Sequence, residues 1–251
     1  MPKLMMIQPG AFGDILICAP IAKKYSESGY DVYWPVREMY MDLVSRFSDY
    51  VNPILLDNDD TIKSSFLNSG PDDSLKADVD KCLEIYAQDN FDFALNLADR
   101  GPHDTAELST ETPDYTKYRL SNMNFSERYN LSWKRDTEKE NSLYDELVGD
   151  ASEYILAGTA YSDGNIELPF TPDCKVIHMD RMEGYVILDW YKIIKGAKAI
   201  YSVESSFHCF IDGIINEVPC PKYRLKRVLP EGYLRTNEGS YITVSEHWTD
   251  L

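Results

Sequence analysis

Apolar residues fall along this chain in short runs separated by polar, glycine-punctuated turns, and the runs alternate between strand and helix spacing. Leu4-Met5-Met6-Ile7 is a continuous apolar run that reads as a strand over residues 4–8. It is followed by Pro9-Gly10-Ala11-Phe12-Gly13-Asp14 and then an apolar helical stretch over 15–26, which has to tolerate or bend at Pro20. Gly29 ends that helix, and residues 30–36 are a second strand. A helix over 38–47, a third strand over 52–56, a helix over 74–88 (Leu75, Val79, Cys82, Leu83, Tyr86) and a fourth strand over 91–97 complete the first series. Residues 57–73, rich in Asp, Asn, Ser, Gly and Pro, read as a loop.

Residues 115–150 read as helical and polar, with few breakers, and make a candidate linker. A second series follows: strands over 154–157 and 175–179, a helix over 188–195, a strand over 199–203 and a helix over 207–215. Strand and helix alternating twice over predict an α/β chain with two Rossmann-like parallel-sheet domains, residues 1–150 and a reduced domain over 151–251.

The 251 residues are 43% hydrophobic, ample for a core, and no stretch approaches the ~20 apolar residues of a membrane span. The N-terminal run is too short for a signal peptide. Five scattered cysteines without Cys-x-x-Cys spacing read as reduced thiols, which favours a cytoplasmic protein over a disulfide frame or a zinc site. The net charge of −17 is uneven: residues 1–150 carry 15 Lys/Arg against 28 Asp/Glu, residues 151–251 carry 10 against 14. Such a surface repels polyanions. One basic stretch runs against it, Lys222, Arg224, Lys226, Arg227 and Arg235 interleaved with Tyr223 and Tyr233, which could bind phosphates but reads by default as a solvated strand or hairpin.

Two polar strand-to-helix turns stand out chemically. The first delivers one carboxylate, Asp14, to the carboxyl edge of the first strand, where open α/β sheets place ligands, and Gly10 and Gly13 let the backbone approach a bound molecule. Asp14 reads equally as a helix N-cap. The second is Val203-Glu204-Ser205-Ser206-Phe207-His208, where a helix N-terminus offers free N–H groups and a positive dipole end to a phosphate. Its plainer reading is a serine N-cap with His208 on the helix surface. Asp57-Asn58-Asp59 and Asp78-Val79-Asp80 have an Asp-x-Asp form, but with 42 acidic residues such pairs arise by chance, and no metal site is expected.

These segments resemble the heptosyltransferase-like glycosyltransferases of the GT-B type. The Gly-Asp opening of that family's first helix, with a small residue and proline after it, is similar to Gly13-Asp14 and Ala19-Pro20. Its fourth-strand pattern Tyr-Asp-Leu-Val-Ile-Asp-Leu is similar to residues 91–97, and its donor-domain Asp-Ser/Thr-Gly with a nearby His resembles Glu204-Ser205-Ser206 and His208. Glu204 replaces the Asp and Ser206 the Gly, and His208 follows Glu204 by four residues where the family commonly has five. Gly158-Thr159-Ala160 fits the small-residue phosphate loop of the donor domain.

The resemblance implies an inverting glycosyltransferase using a nucleoside-diphosphate sugar as co-substrate, with no other cofactor and no metal. Asp14 would be the general base in a cleft between domains. Gly158, Thr159, Arg181, Glu204, Ser205, Ser206 and His208 would bind the donor, and Gly13, Arg100 and His103 would line the acceptor side. The acceptor would be a glycan, a lipid-linked sugar or, as in compact bacteriophage enzymes that modify DNA, a hydroxymethylated base. The rival class is an inactive nucleotide- or sugar-binding module; a dehydrogenase is disfavoured because Gly-x-Gly-x-x-Gly is missing.

Overall fold

The computed structural model describes residues 1–56, 71–98, 112–161, 164–226, 242–243 and 245–251. The chain divides into two compact units. The first comprises Met1–Arg100, Lys117–Arg128 and Ser132–Lys134; the second comprises Gly101–Thr116, Tyr129–Leu131 and Arg135–Leu251.

In the first unit, strands β1 (Lys3–Ile7), β2 (Asp31–Arg37), β3 (Asn52–Leu56) and β4 (Phe93–Asn96) form an all-parallel sheet in the order β3-β2-β1-β4. Leu4 pairs with Val32 on one side and with Phe93 on the other. A strand flanked on both sides and covered on both faces needs a continuous apolar run, and Met5, Met6 and Ile7 are wholly buried. Met5 and Ile7 pack with Leu56 and with Cys82, Val79 and Tyr86 from the long helix α3 (Pro71–Gln88). Helix α1 (Phe12–Glu27) buries an unbroken set from Ile15 to Ala22, runs through Pro20, and stops at Gly29, which takes the left-handed conformation (φ 92°) that glycine adopts without strain. Helix α2 (Glu38–Ser45) follows β2 directly.

The second unit has a five-stranded parallel sheet: β5 (Tyr154–Gly158), β8 (Lys175–His178), β9 (Ala199–Ser202), β10 (Lys222–Arg224) and β11 (Thr249–Asp250), in the order β11-β10-β9-β5-β8. A two-residue pair, β6 (Ala160–Tyr161) with β7 (Gly164–Asn165), lies in the connection between β5 and β8. Leu156, Trp190, Ile200, Phe210 and Ile211 form the core, with Trp190 edge-on to Phe207. Helices α6 (Tyr191–Gly196) and α7 (Ser206–Gly213) flank β9 in sequence.

Residues 115–150 are not one helical stretch. Helix α4 (Pro113–Leu120) ends before a left-handed Asn122 (φ 53°), a 3-10 turn covers Phe125–Tyr129, residues 130–136 have no regular structure, and α5 (Thr137–Leu147) begins under an Asp136 cap. The basic stretch also departs from expectation. Lys222 and Arg224 are buried in β10, the lysine bonded to the Val218 and Cys220 carbonyls and the arginine to carboxylates. Arg227 and Arg235 lie outside the described residues, as do Asp57 and Asp59.

Strand order fixes where each unit can hold a ligand. In the first, the chain moves from β1 to β2 and β3 and returns to β4 on the other side of β1, so the connections diverge at the β1/β4 edge. In the second, strands β5, β8, β9, β10 and β11 run in the spatial order 2-1-3-4-5, so they diverge at β5/β9. Crevices at the carboxyl ends of such switch points are the ligand sites of open α/β sheets.

Candidate active site

Asp14 sits at the switch point of the first unit. Ala11 is the N-cap of α1, and Asp14 is the third helical residue, so it is not the cap. Its side chain is 22% exposed, and Lys117 Nζ lies 3.4 Å from Oδ1. Lys117 comes from α4, is only 1% exposed, and also donates to Gln8 Oε1 (2.7 Å) and to the Leu97 carbonyl. Gln8 follows β1 and Leu97 follows β4, so the ammonium is tied to the ends of both strands at the divergence. The Gln8 amide in turn donates to the Gly10 carbonyl at 2.8 Å, and the Gln8 carbonyl accepts from Trp34 Nε1. Cys18, one turn beyond Asp14, is wholly buried; burial pushes its thiol up to about 12, against the pull of Lys117, so it stays protonated at neutral pH.

The turn itself is tight. A side chain at Gly10 would press on the Tyr40 ring, 3.3 Å away. Ala11 holds φ 65° and ψ 120°, a region costly for any residue with a Cβ. Ala11→Gly is expected to raise stability by about 1 kcal/mol, because relief of roughly 1–3 kcal/mol of backbone strain exceeds the entropic cost of glycine. Urea unfolding of the two proteins checks this. Gly13 lies between Phe12 and Asp14 in the first turn; Arg100 and His103 lie outside the described residues.

The second unit gathers most of the other predicted residues at β5/β9. Val203 N–H donates to the Gly158 carbonyl at 2.8 Å, zipping the two strand ends together. Gly158 is a close approach: a Cβ there would fall 2.6 Å from Met179 Cε and 3.0 Å from Ser202 Oγ. Thr159 is buried just beyond it, its carbonyl accepting from Ile166 N–H. Ser205 caps α7, accepting at 3.5 Å from His208 N–H, and Ser206 is the first helical residue. Arg181 is exposed in the segment after β8, the other neighbour of β5.

Two residues have surroundings the sequence did not announce. Glu204 is buried against Arg224 at 3.2 Å, and Arg224 also makes a two-pronged pair with Asp250 at 2.7 and 2.8 Å. His208 is inside the core, not on the helix surface: it is 1% exposed, stacks on Trp248 with 4.0 Å between ring centres, and lies 3.8 Å from Asp212, which accepts from Trp248 Nε1. Among the described residues no group of three or more His, Cys, Asp or Glu is placed to hold a metal, and no helix is long and apolar enough to cross a membrane.

Lys117 and Gln8 are not singled out by the sequence, and Arg224 reads there as part of a solvated basic stretch where the structure buries it. The only local signal for the first was Thr112-Pro113-Asp114, proline at a first helical position, which marks the start of α4.

No protein-family profile matches the sequence, and no curated protein matches it. Solved structures do. A glycosyl transferase of family 9 from Veillonella parvula is similar over all of this chain and 86% of its own, at 12% identity and a TM-score of 0.59. The E. coli ADP-heptose lipopolysaccharide heptosyltransferase II is similar over the whole chain and 90% of its own, at 13% identity and a TM-score of 0.54. E. coli heptosyltransferase WaaC with ADP is similar over the whole chain and 92% of its own, at 15% identity and a TM-score of 0.50. With its two parallel α/β sheets, whose strand orders diverge at β1/β4 and at β5/β9, this chain has the fold of those glycosyltransferases.

Proposed function

We propose that the protein transfers a sugar from a nucleoside-diphosphate sugar to an acceptor hydroxyl with inversion at the anomeric carbon. The observation that carries the reading is the partly exposed Asp14 carboxylate at the β1/β4 edge, in a chain with the fold of sugar transferases. Asp14 takes the proton of the acceptor hydroxyl as that oxygen bonds to the anomeric carbon. The bond from that carbon to the diphosphate breaks, its electron pair leaving with the nucleoside diphosphate. One displacement, on the face opposite the leaving group, inverts the centre.

Gly158, Thr159 and the Ser205-Ser206 terminus of α7 receive the diphosphate, with N–H groups, hydroxyls and the positive helix end directed at its charge. Arg181, exposed beyond β8, is the cation assigned to it. Fixed dipoles and one cation suffice to stabilise the leaving group, so metal is not required. His208 supports α7 from within the core in this account, and Glu204 orders the turn through Arg224. A DNA acceptor is the weaker reading, because Lys222 and Arg224 are buried and engaged by protein groups, and the net charge is −17.

Thermal unfolding in the presence of UDP-, GDP-, ADP- and CMP-sugars, with and without EDTA, tests the donor site. One nucleotide family should raise the melting temperature regardless of EDTA; a ligand at 100 times its Kd adds about 2.7 kcal/mol. ADP-sugars come first, since the WaaC structure holds ADP. No shift from any of them contradicts the reading.

A further inference from the structure

We propose that Lys117 is a positioning residue that holds the Asp14 carboxylate in its productive orientation; this rests on the transfer reading given above. Lysine is among the residues least often fully buried unless its charge is paired. At 1% exposure Lys117 has three ammonium N–H groups and, among the described residues, three acceptors around it: Gln8 Oε1, the Leu97 carbonyl and Asp14 Oδ1. Two of these are neutral and fixed at the ends of β1 and β4, so they set where the charge stands. The third is the only carboxylate of the three, and it is the one open to solvent. A positive point anchored in the sheet edge therefore draws Oδ1 inward and presents Oδ2 to an incoming hydroxyl.

The arrangement explains why a charge is kept in so dry a place. A lysine bonded only to Gln8 and Leu97 would bring the full cost of desolvating its charge with no carboxylate to offset it. Cys18, the nearby thiol, stays neutral and does not compete for the ammonium. Orientation of a reacting group carries large rate factors, and a misplacement of about 1 Å costs on the order of 10²-fold. Lys117 acts through Asp14 and needs no contact with either substrate.

The test measures release of nucleoside diphosphate from UDP-, GDP- and ADP-sugars by the full chain, for the native protein and for Lys117→Met, Asp14→Asn and their combination. Lys117→Met should lower kcat by about 10²-fold and leave the donor KM within twofold. The combined variant should be no slower than Asp14→Asn alone, because the lysine has nothing left to position. Should Lys117→Met fail to fold, Lys117→Arg, which keeps the charge but displaces it, should show a smaller loss with the same split between kcat and KM. Full turnover in the lysine variants beside a dead Asp14→Asn, or losses that multiply in the combined variant, overturns this role alone. Absence of turnover in the native protein, or an active Asp14→Asn, overturns the transfer reading and this role with it.

Discussion

Asp14→Asn is expected to lower sugar transfer by about 10²–10⁴-fold, the range a positioned general base supplies. That is a rise of roughly 3–5 kcal/mol in the barrier. The amide keeps the shape of the carboxylate but cannot take the acceptor proton. Nucleotide binding is assigned to residues of the second unit, so the melting shift given by a nucleotide sugar should persist in the variant. The variant should itself melt lower than the native protein. It leaves Lys117, buried at the end of β1, facing a neutral amide where it had a carboxylate. Comparing the nucleotide-induced shift, not the absolute melting temperature, separates loss of the base from loss of the fold.

The second large effect is on stability. Arg224→Met removes the cation between two carboxylates, one of them, Glu204, only 6% exposed. Taking one partner from a buried pair costs about 3–5 kcal/mol, because the remaining charge stays desolvated. Urea unfolding at neutral pH should show that loss. Lowering the pH adds a signature. Arg224 holds the Asp250 carboxyl below the ordinary carboxylate range. The unfolded chain therefore binds the proton first, at about pH 4. The native protein keeps this contribution above that pH and loses it as pH falls through the lower, folded value. The variant should lack that part of the acid dependence.

The parts of the fold visible in the sequence are those whose signal is local. The strand over Asn52–Leu56 is legible at its observed bounds, and β1 and α1 announce themselves through an apolar run, a glycine turn and Gly29. β11 leaves no local signal, and β10 reads as a solvated strand, because the pairing that buries it is tertiary. Lys222-Tyr223-Arg224 alternates charge with an aromatic ring and reads as solvated, yet its charged residues are buried by carbonyls of residues 218 and 220 and by Asp250 at the chain's end. The polar run over 115–150 hid its breaks, since Asn122 in a left-handed turn leaves no glycine or proline to mark it.

The same division holds at the site. Asp14, Gly158 and Ser205 announce themselves through the turns they occupy. Lys117 stands 109 residues from the Gln8 it binds, and nothing in Tyr115-Thr116-Lys117-Tyr118 distinguishes it from a surface lysine. His208 misled in the opposite direction: it lies beside an exposed-looking serine pair, but Trp248, from the last residues of the chain, covers its ring.

The most direct test of sugar transfer is proton NMR of the purified protein mixed with one nucleotide sugar at a time, following the anomeric resonance as nucleoside diphosphate appears. One nucleotide family should be consumed, the first sugar product should carry the inverted anomeric configuration, and Asp14→Asn should leave the donor intact. A donor panel that the native protein leaves untouched, a product with retained configuration, or equal consumption by the Asp14 variant would contradict it.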